Sequence, residues 1–247
     1  MIQKAWFEDW FNSPYYHLLY KNRNDNEAQA FIERLISYLK PLDNSKILDV
    51  ACGKGRHSKV LADMGFDVTG IDLSEASIEE ANKESHDRLQ FFQHDMRLPF
   101  RINYYDFAFN FFTSFGYFNT QREHNNALRS ITQSLKKEGI VVIDFLNKEY
   151  ISDRLEPNAT VKCDEITFII SKWQDDKHFF KRIEVKENEE EAKKLLYTER
   201  VAKFGLTEFK DMLSLQNTEI IAVFGDYNLG EYDTKNSPRL IIVGKKK

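Results

Sequence analysis

The sequence predicts an α/β protein with a largely parallel sheet, helices on both of its faces, a helical N-terminal extension and an inserted antiparallel β subdomain. Between residues 46 and 146, short apolar runs alternate with single helix-like segments, which implies right-handed crossovers between parallel strands. Residues 160–204 hold three long segments in which polar and apolar side chains alternate, a pattern typical of an antiparallel sheet with one wet face. Aromatic and aliphatic residues at helical spacing fill residues 1–40.

The elements follow one another in a regular order. The N-terminal helical segment ends at Pro41 and the Asp-Asn-Ser cluster after it. Ser74 is the expected N-cap of a helix. Strands of the main sheet are predicted at 47–51, 67–72, 89–94, 105–112, 140–145, 218–224 and 239–243, helices at 56–64, 74–84, 121–136 and 207–214, and inserted strands at 160–172, 178–187 and 195–204. We therefore expect a helical cap at 1–40, a main domain at 41–150 and 205–247, and an inserted lid or substrate subdomain at 151–204.

Composition narrows the functional classes. The 247 residues include 35 Lys and Arg against 39 Asp and Glu, a formal charge of -4, which argues against a protein that grips nucleic acid by a generally basic surface. No apolar run reaches the length of a membrane span, and the first residues lack the layout of a signal peptide, so we expect a cytoplasmic protein. Two cysteines are too few for a disulfide framework or a Cys-rich zinc site, and no metal site is predicted.

The first motif is Asp49–Gly55, read DVACGKG, where the first strand passes into a helix. Glycines there let the backbone turn sharply and approach a ligand, and the following helix offers free N–H groups. Ser58 stands where a dinucleotide-binding fingerprint has its third glycine. A carboxylate at Asp49 would repel a pyrophosphate but attract an ammonium or sulfonium group.

Two more acids end the next strands. Asp72 follows Gly53 by 19 residues, a position at which a carboxylate accepts hydrogen bonds from both ribose hydroxyls. Asp95 follows the third strand and is placed to accept an adenine amino proton while Met96 or Leu73 packs on the ring. One acid at a loop start is commonly a cap or turn residue, but three at successive strand ends favour a binding site.

Together these motifs resemble those of class I S-adenosylmethionine-dependent methyltransferases. Residues 49–55 match the family's first motif, with Ala51 in place of the more usual glycine, and the matching segments at 105–110 and 135–140 extend the resemblance over about 45–146. The resemblance implies a Rossmann-like domain with a doubly wound, seven-stranded, mostly parallel sheet whose last strand is antiparallel. It also implies S-adenosyl-L-methionine as cofactor, with Asp72 on its ribose and Asp95 on its adenine.

The loop Phe112–Tyr117, read FTSFGY, resembles the corresponding loop of small-molecule N-methyltransferases, including those acting on amino sugars, and lacks the N-P-P-Y or D-P-P-Y of many base methyltransferases. The resemblance therefore predicts methyl transfer to a small molecule, with an amine as the candidate acceptor and a nucleic-acid acceptor disfavoured. We expect the protein to be a monomer or a homodimer. A methyltransferase acting on RNA or a protein side chain, and a nucleotide-binding oxidoreductase or non-catalytic binder, are the alternatives.

Candidate site residues fall into three groups, and a purely structural role is the open alternative for several of them. The residues of the substrate rim are chosen because ligands of parallel sheets lie beyond the carboxyl ends of the strands. The candidate bases are chosen because an amine acceptor needs a base or a desolvating pocket. The cofactor group comprises Asp49, Ala51, Gly53, Gly55, His57, Asp72, Leu73, Asp95, Met96, Asn110, Phe111, Tyr16, Tyr20 and Arg23; the substrate rim Phe115, Tyr117, Asn147, Asp226, Tyr227 and Arg239; the bases His124, Tyr117 and Tyr15.

The chain is also rich in aromatic residues, with 20 Phe, 11 Tyr and 3 Trp. Many of them cluster in residues 6–20 and 104–118. We expect the two clusters to meet around a cationic cofactor, because ring faces attract cations.

Overall fold

The computed structural model of the chain describes residues 5–21, 25–187 and 195–247. Its helices are α1 (Trp6–Phe11), α2 (Pro14–Leu19), α3 (Asp25–Leu39), α4 (Arg56–Asp63), α5 (Glu75–Ala81), α6 (Gln121–Ser134), α7 (Lys148–Asp153) and α8 (Leu206–Ser214). Its strands are β1 (Lys46–Val50), β2 (Asp67–Asp72), β3 (Leu89–Gln93), β4 (Tyr105–Asn110), β5 (Leu135–Leu146), β6 (Asn158–Cys163), β7 (Ile166–Gln174), β8 (His178–Glu187), β9 (Leu195–Ala202), β10 (Thr218–Phe224) and β11 (Arg239–Lys246).

Seven strands form the main sheet in the order β10-β11-β5-β4-β1-β2-β3. The pairs from β5 to β3 are parallel, whereas β11 runs antiparallel to both β10 and β5. The predicted fold class is thereby confirmed, including the reversed last strand. The strand order changes direction between β1 and β4, and a doubly wound sheet binds ligands beyond the carboxyl ends of the strands at such a point.

Buried apolar side chains lie on both faces of this sheet. Along β5, Val141 and Ile143 belong to one core cluster and Val142 to the other, as the alternation of a strand requires. Helices α6 and α8 supply one layer, and α3, α4 and α5 supply the other. Since α3 packs in this second layer, it is part of the main domain and not of the predicted cap at 1–40, whereas α1 adds Phe7 to the edge of the first core cluster.

The inserted subdomain is a four-stranded antiparallel sheet in the order β6-β7-β8-β9. The single strand expected at 160–172 is wrong, because Asp164 adopts a left-handed conformation with φ 55° and turns the chain back between β6 and β7. Aspartate tolerates that conformation better than most residues. Helix α7, which was not predicted, begins after its N-cap Asn147, whose side chain accepts a hydrogen bond from the Glu149 N–H.

Helices α1 and α2 pack against one face of the inserted sheet. Ser13 and Pro14 separate the two helices, because the Ser13 hydroxyl accepts from the Tyr15 N–H and Pro14 occupies the first helical position. Trp10 is fully buried in a cluster with Phe168 and Ile183 of the inserted sheet. Within the described ranges, no helix combines the length and apolar character that a membrane crossing needs.

Candidate functional site

A cavity of about 450 Å³ lies at the carboxyl ends of β1, β2, β3 and β4, beneath α1 and α2. Both aromatic clusters of the sequence reach it: Phe7, Phe11, Tyr16 and Tyr20 from the N-terminal helices, and Phe111, Phe112, Tyr117 and Phe118 from the segment after β4. The cavity therefore has aromatic walls, as the clustering predicted. The three strand-end acids Asp49, Asp72 and Asp95 also line it.

The turn between β1 and α4 depends on three residues with left-handed backbone. Ala51, Gly53 and Gly55 have φ values of 59°, 56° and 78°. Ala51 and Gly53 line the cavity, but Gly55 does not. A Cβ at Gly55 would lie 2.4 Å from Cζ of Phe91, so this glycine permits close packing behind the turn and does not face the cavity.

Asp49 is 1% exposed, and its Oδ2 accepts a hydrogen bond of 2.6 Å from the Ser58 hydroxyl. Burial raises the pKa of Asp49 to about 6, with a further upward contribution from the charge of Asp72, although the Ser58 hydrogen bond acts in the opposite direction. A buried carboxylate of this kind gains from a cationic partner.

Asp72 ties the glycine turn to the end of β2. Its Oδ2 accepts from the Gly53 N–H at 2.8 Å, and its Oδ1 accepts from the Ser74 N–H at 2.8 Å. Burial raises the pKa of Asp72 despite these hydrogen bonds. Each carboxylate oxygen retains a second lone pair for a ligand hydroxyl.

Asp95 lies between the cavity and Arg97. The Arg97 guanidinium donates to Asp95 Oδ2 at 2.6 Å through Nη2 and to Glu123 at 2.7 Å through Nη1. Desolvation acts to raise the pKa of Asp95, but the hydrogen bonds and charge of Arg97 lower it below its ordinary value. Leu73 and Met96 line the same side of the cavity, so an acid and two apolar side chains are available to a planar ring.

Other predicted residues also reach the cavity. His57 lines it and stacks on Phe112, with ring centroids 5.0 Å apart. The Tyr117 hydroxyl donates to the Thr113 carbonyl at 2.5 Å, while its ring packs against Trp6. Arg23 lies outside the described residues.

Two of the three candidate bases are not on the cavity. His124 is buried among the rings of Phe118 and Phe204, with Nδ1 2.9 Å from the Thr120 carbonyl. Tyr15 faces the inserted sheet and donates to the Glu187 carboxylate at 2.6 Å, a hydrogen bond that raises the pKa of Tyr15 to about 12. The positions of His124 and Tyr15 therefore correct their assignment as candidate bases.

Several other assignments are corrected because the side chains serve the fold. Asn110 donates to the Val50 carbonyl at 3.0 Å from a buried position, and Phe115 is 1% exposed in the core. Asn147 donates to the Ser237 carbonyl at 2.8 Å. None of these three lines the cavity.

The remaining rim residues are also engaged elsewhere. Asp226 closes its own turn by accepting from the Asn228 and Gly230 N–H groups at 2.8 and 3.0 Å. Tyr227 and Arg239 both donate to Asp144, beneath the loop that follows β4. These residues do not line the cavity either.

Several cavity residues were not predicted from the sequence, and five of them come from α1 and from the loop after β4. Phe7 and Phe11 are four residues apart, which is also the spacing of Tyr16 and Tyr20. The same helical spacing could therefore have identified Phe7 and Phe11 as candidates. The side chains that were missed include Phe7, Phe11, His17, Lys21, Cys52, Lys54, Arg56, Ile71, Ser77, His94, Phe112, Ser114 and Phe118. The complete site offers acids at the strand ends, aromatic walls and a few cations, which suits a ligand with a positive charge, a diol and a planar ring.

Comparison with known proteins agrees with this arrangement. Residues 47–139 match the family described as methyltransferase domain, which confirms the resemblance over that segment. The chain is 34% identical over 139 residues to the putative methyltransferase YqeM of Bacillus subtilis, covering 53% of this chain and 54% of that protein. It is 34% identical over 132 residues to a Streptomyces venezuelae dTDP-3-amino-3,4,6-trideoxy-alpha-D-glucopyranose N,N-dimethyltransferase, covering 52% and 54%. The chain spans about half the length of the curated relatives it matches.

Solved structures show the same fold over nearly the whole chain. An S-adenosylmethionine-dependent methyltransferase from Clostridium acetobutylicum superposes with a TM-score of 0.78 at 16% identity, covering 94% of this chain and 96% of that one. The CcbJ methyltransferase from Streptomyces caelestis gives a TM-score of 0.78 at 18% identity, covering 99% of both chains. DesVI from Streptomyces venezuelae gives 0.69 at 21% identity, covering 94% and 97%.

Proposed function

We propose that this protein is an S-adenosyl-L-methionine-dependent methyltransferase acting on a small molecule that carries an amine. The observation that carries the proposal is the convergence of three strand-end carboxylates, Asp49, Asp72 and Asp95, on one cavity with aromatic walls. An acid next to the glycine turn suits a cofactor with an ammonium group and would repel a pyrophosphate. The methyltransferase-domain match at 47–139 supports the same conclusion.

Each residue group has a distinct role in this proposal. Asp49 pairs with the ammonium of the cofactor, and Asp72 accepts from its ribose hydroxyls. Asp95 accepts from the adenine amino group, while Leu73 and Met96 pack on the ring. When bound, the cofactor supplies a methyl group already activated on a positively charged sulfur, so the chain has to align the acceptor and exclude water.

The amine acceptor is supported by the walls of the cavity and by the names of relatives. Rings such as Phe11, Phe112 and Tyr117 provide a desolvating surface, which lowers the pKa of an enclosed amine and favours its reactive neutral form. The Streptomyces relative is named as an N,N-dimethyltransferase of an amino sugar. Helices α1 and α2 and the inserted sheet serve as the cover of this cleft.

Binding of S-adenosylhomocysteine tests the cofactor assignment. We expect the wild-type protein to bind this product by calorimetry and not to bind NAD, and Asp72→Ala to weaken binding about 100-fold, because two charge-assisted hydrogen bonds are lost. Asp67→Ala is the matched control, since Asp67 lies at the other end of β2 and only approaches Lys46 at 3.8 Å. Binding of NAD without S-adenosylhomocysteine would contradict the proposal. Transfer of labelled methyl to a panel of amines and amino sugars tests the acceptor.

A further inference from the structure

One buried carboxylate, that of Asp144 near the carboxyl end of β5, organises the loop after β4 without lining the cavity. It is 0% exposed. Oδ1 accepts from Arg239 Nε at 2.7 Å, while Oδ2 accepts from the Phe112 N–H at 2.8 Å and from the Tyr227 hydroxyl at 3.1 Å. The loop after β4 and the connection from β10 to β11 therefore converge on a single side chain.

The loop that Asp144 holds has an unfavourable backbone conformation. Phe112 and Thr113 are consecutive non-glycine residues with φ of 56° and 59°, and the β-branched Thr113 is especially disfavoured there. Such a conformation persists only where the surroundings determine it. Here the Thr113 N–H donates to the Asp144 carbonyl at 2.9 Å, and Arg239 Nη2 donates to the Thr113 hydroxyl at 3.0 Å.

This conformation determines where the Phe112 ring lies. The ring lines the cavity, where it stacks on His57. On another side it contacts the Tyr227 ring, at a centroid distance of 5.3 Å, and the Tyr227 hydroxyl is itself fixed by Asp144. Asp144 thus supports Phe112 twice, through the backbone N–H and through Tyr227.

We propose that Asp144 is a positioning residue for cofactor binding, which acts by holding Phe112 as a wall of the cleft, with Arg239 and Tyr227 as its supports. This role rests on the proposed function of the cleft. Asparagine at this position would keep one acceptor oxygen but present N–H groups to donors that already point at it. Either the Phe112 N–H or the Arg239 guanidinium would then lose its partner.

The test is a double-mutant cycle on S-adenosylhomocysteine affinity, measured by calorimetry on the full chain. We expect Asp144→Asn and Phe112→Ala each to weaken binding about 10-fold, and the double variant to be little weaker than the worse single variant, because both changes remove the same wall. We also expect the Phe112 and Thr113 amides to exchange hydrogen at least about 10-fold faster in Asp144→Asn.

Asp106→Asn is the matched control. Asp106 lies near the start of β4, away from the cavity, and likewise accepts from a backbone N–H and a cation, those of Lys46 and Lys136. This variant should bind S-adenosylhomocysteine like the wild type. If Asp144→Asn does not fold, Tyr227→Phe serves instead, and we expect it to weaken binding about threefold and to speed exchange at the same two amides.

The outcomes separate the two proposals. Two results would overturn the positioning role alone, provided that the wild-type protein binds S-adenosylhomocysteine. One is an additive loss of affinity, near 100-fold, in the double variant. The other is unchanged affinity and unchanged hydrogen exchange in the Asp144 and Tyr227 variants. Failure of the wild-type protein to bind S-adenosylhomocysteine overturns the proposed function, and the positioning role with it. Non-additive losses with faster local exchange support both.

Discussion

At the scale of the residue, Asp49 has the clearest electrostatic requirement in the cleft. Its carboxylate is buried, and burial raises its pKa to about 6. Above that pH Asp49 carries a desolvated negative charge, and the Ser58 hydroxyl compensates it only in part. In the proposed function, an ammonium group on the ligand supplies the missing counter-charge, so that ligand binding and the ionisation of Asp49 would be linked.

Affinity for S-adenosylhomocysteine should therefore rise with pH through the region around 6. Below the pKa of Asp49 a proton has to leave before the ammonium group binds, so we expect binding about 10-fold weaker at pH 5 than at pH 7.5. Asp72, whose pKa burial also raises, acts in the same direction. Calorimetric titration across this range measures the slope. Asp49→Asn should bind weakly with a much flatter profile, and an unchanged pH dependence in that variant would exclude Asp49 as the origin.

Within the turn between β1 and α4, Gly55 and Gly53 differ in role: Gly55 serves the packing of the fold, whereas Gly53 faces the cavity. Gly55 faces Phe91, which is buried, so a Cβ at Gly55 meets a ring that cannot move aside easily. Gly53 has no atom within 4 Å of an added Cβ and lines the cavity. Two glycines two residues apart therefore differ in what they contribute.

Alanine substitutions distinguish these roles. We expect Gly55→Ala to lower the free energy of unfolding by about 2 kcal/mol or more, from overpacking added to left-handed strain. Gly53→Ala should cost only about 1 kcal/mol, from backbone strain, and should weaken S-adenosylhomocysteine binding, because its Cβ occupies space at the ligand. Urea unfolding and calorimetry measure the two effects. Equal stability losses in the two variants would contradict this division.

Features that depend on local sequence, such as the strands of the main sheet, were predicted better than contacts between distant residues. The strands of the main sheet follow from local apolar alternation, and the three strand-end acids follow from motif spacing, so both were predicted. The Asp144 network was not, because Asp144 is 32 residues from Phe112, 83 from Tyr227 and 95 from Arg239. No local pattern reports such convergence. Tyr227 and Arg239 were therefore assigned to the rim, although both donate to a buried carboxylate.

At the scale of the whole molecule, α1 and α2 lie between the main domain and the inserted sheet. Glu199 of β9 accepts from Trp10 Nε1 at 2.7 Å and from the Tyr20 hydroxyl at 2.9 Å, and Lys181 of β8 lies 3.9 Å from the same carboxylate. On the other side, α1 and the turn that follows it contact the main domain through the Ser74 hydroxyl, which donates to Asn12 at 2.9 Å. The inserted sheet therefore holds the helices that cover the cavity.

Loosening that attachment should speed ligand release. We expect Glu199→Gln to raise the dissociation rate of S-adenosylhomocysteine about 10-fold, because weaker hydrogen bonds to Trp10 and Tyr20 let the cover open more often. Hydrogen exchange at residues 6–20 should accelerate in parallel, and stopped-flow displacement measures the rate. Glu184→Gln is the control, since residue 184 pairs with Leu196 on the opposite face of β8 and should leave both observables unchanged. Faster exchange without faster release would show that α1 and α2 do not control ligand exit.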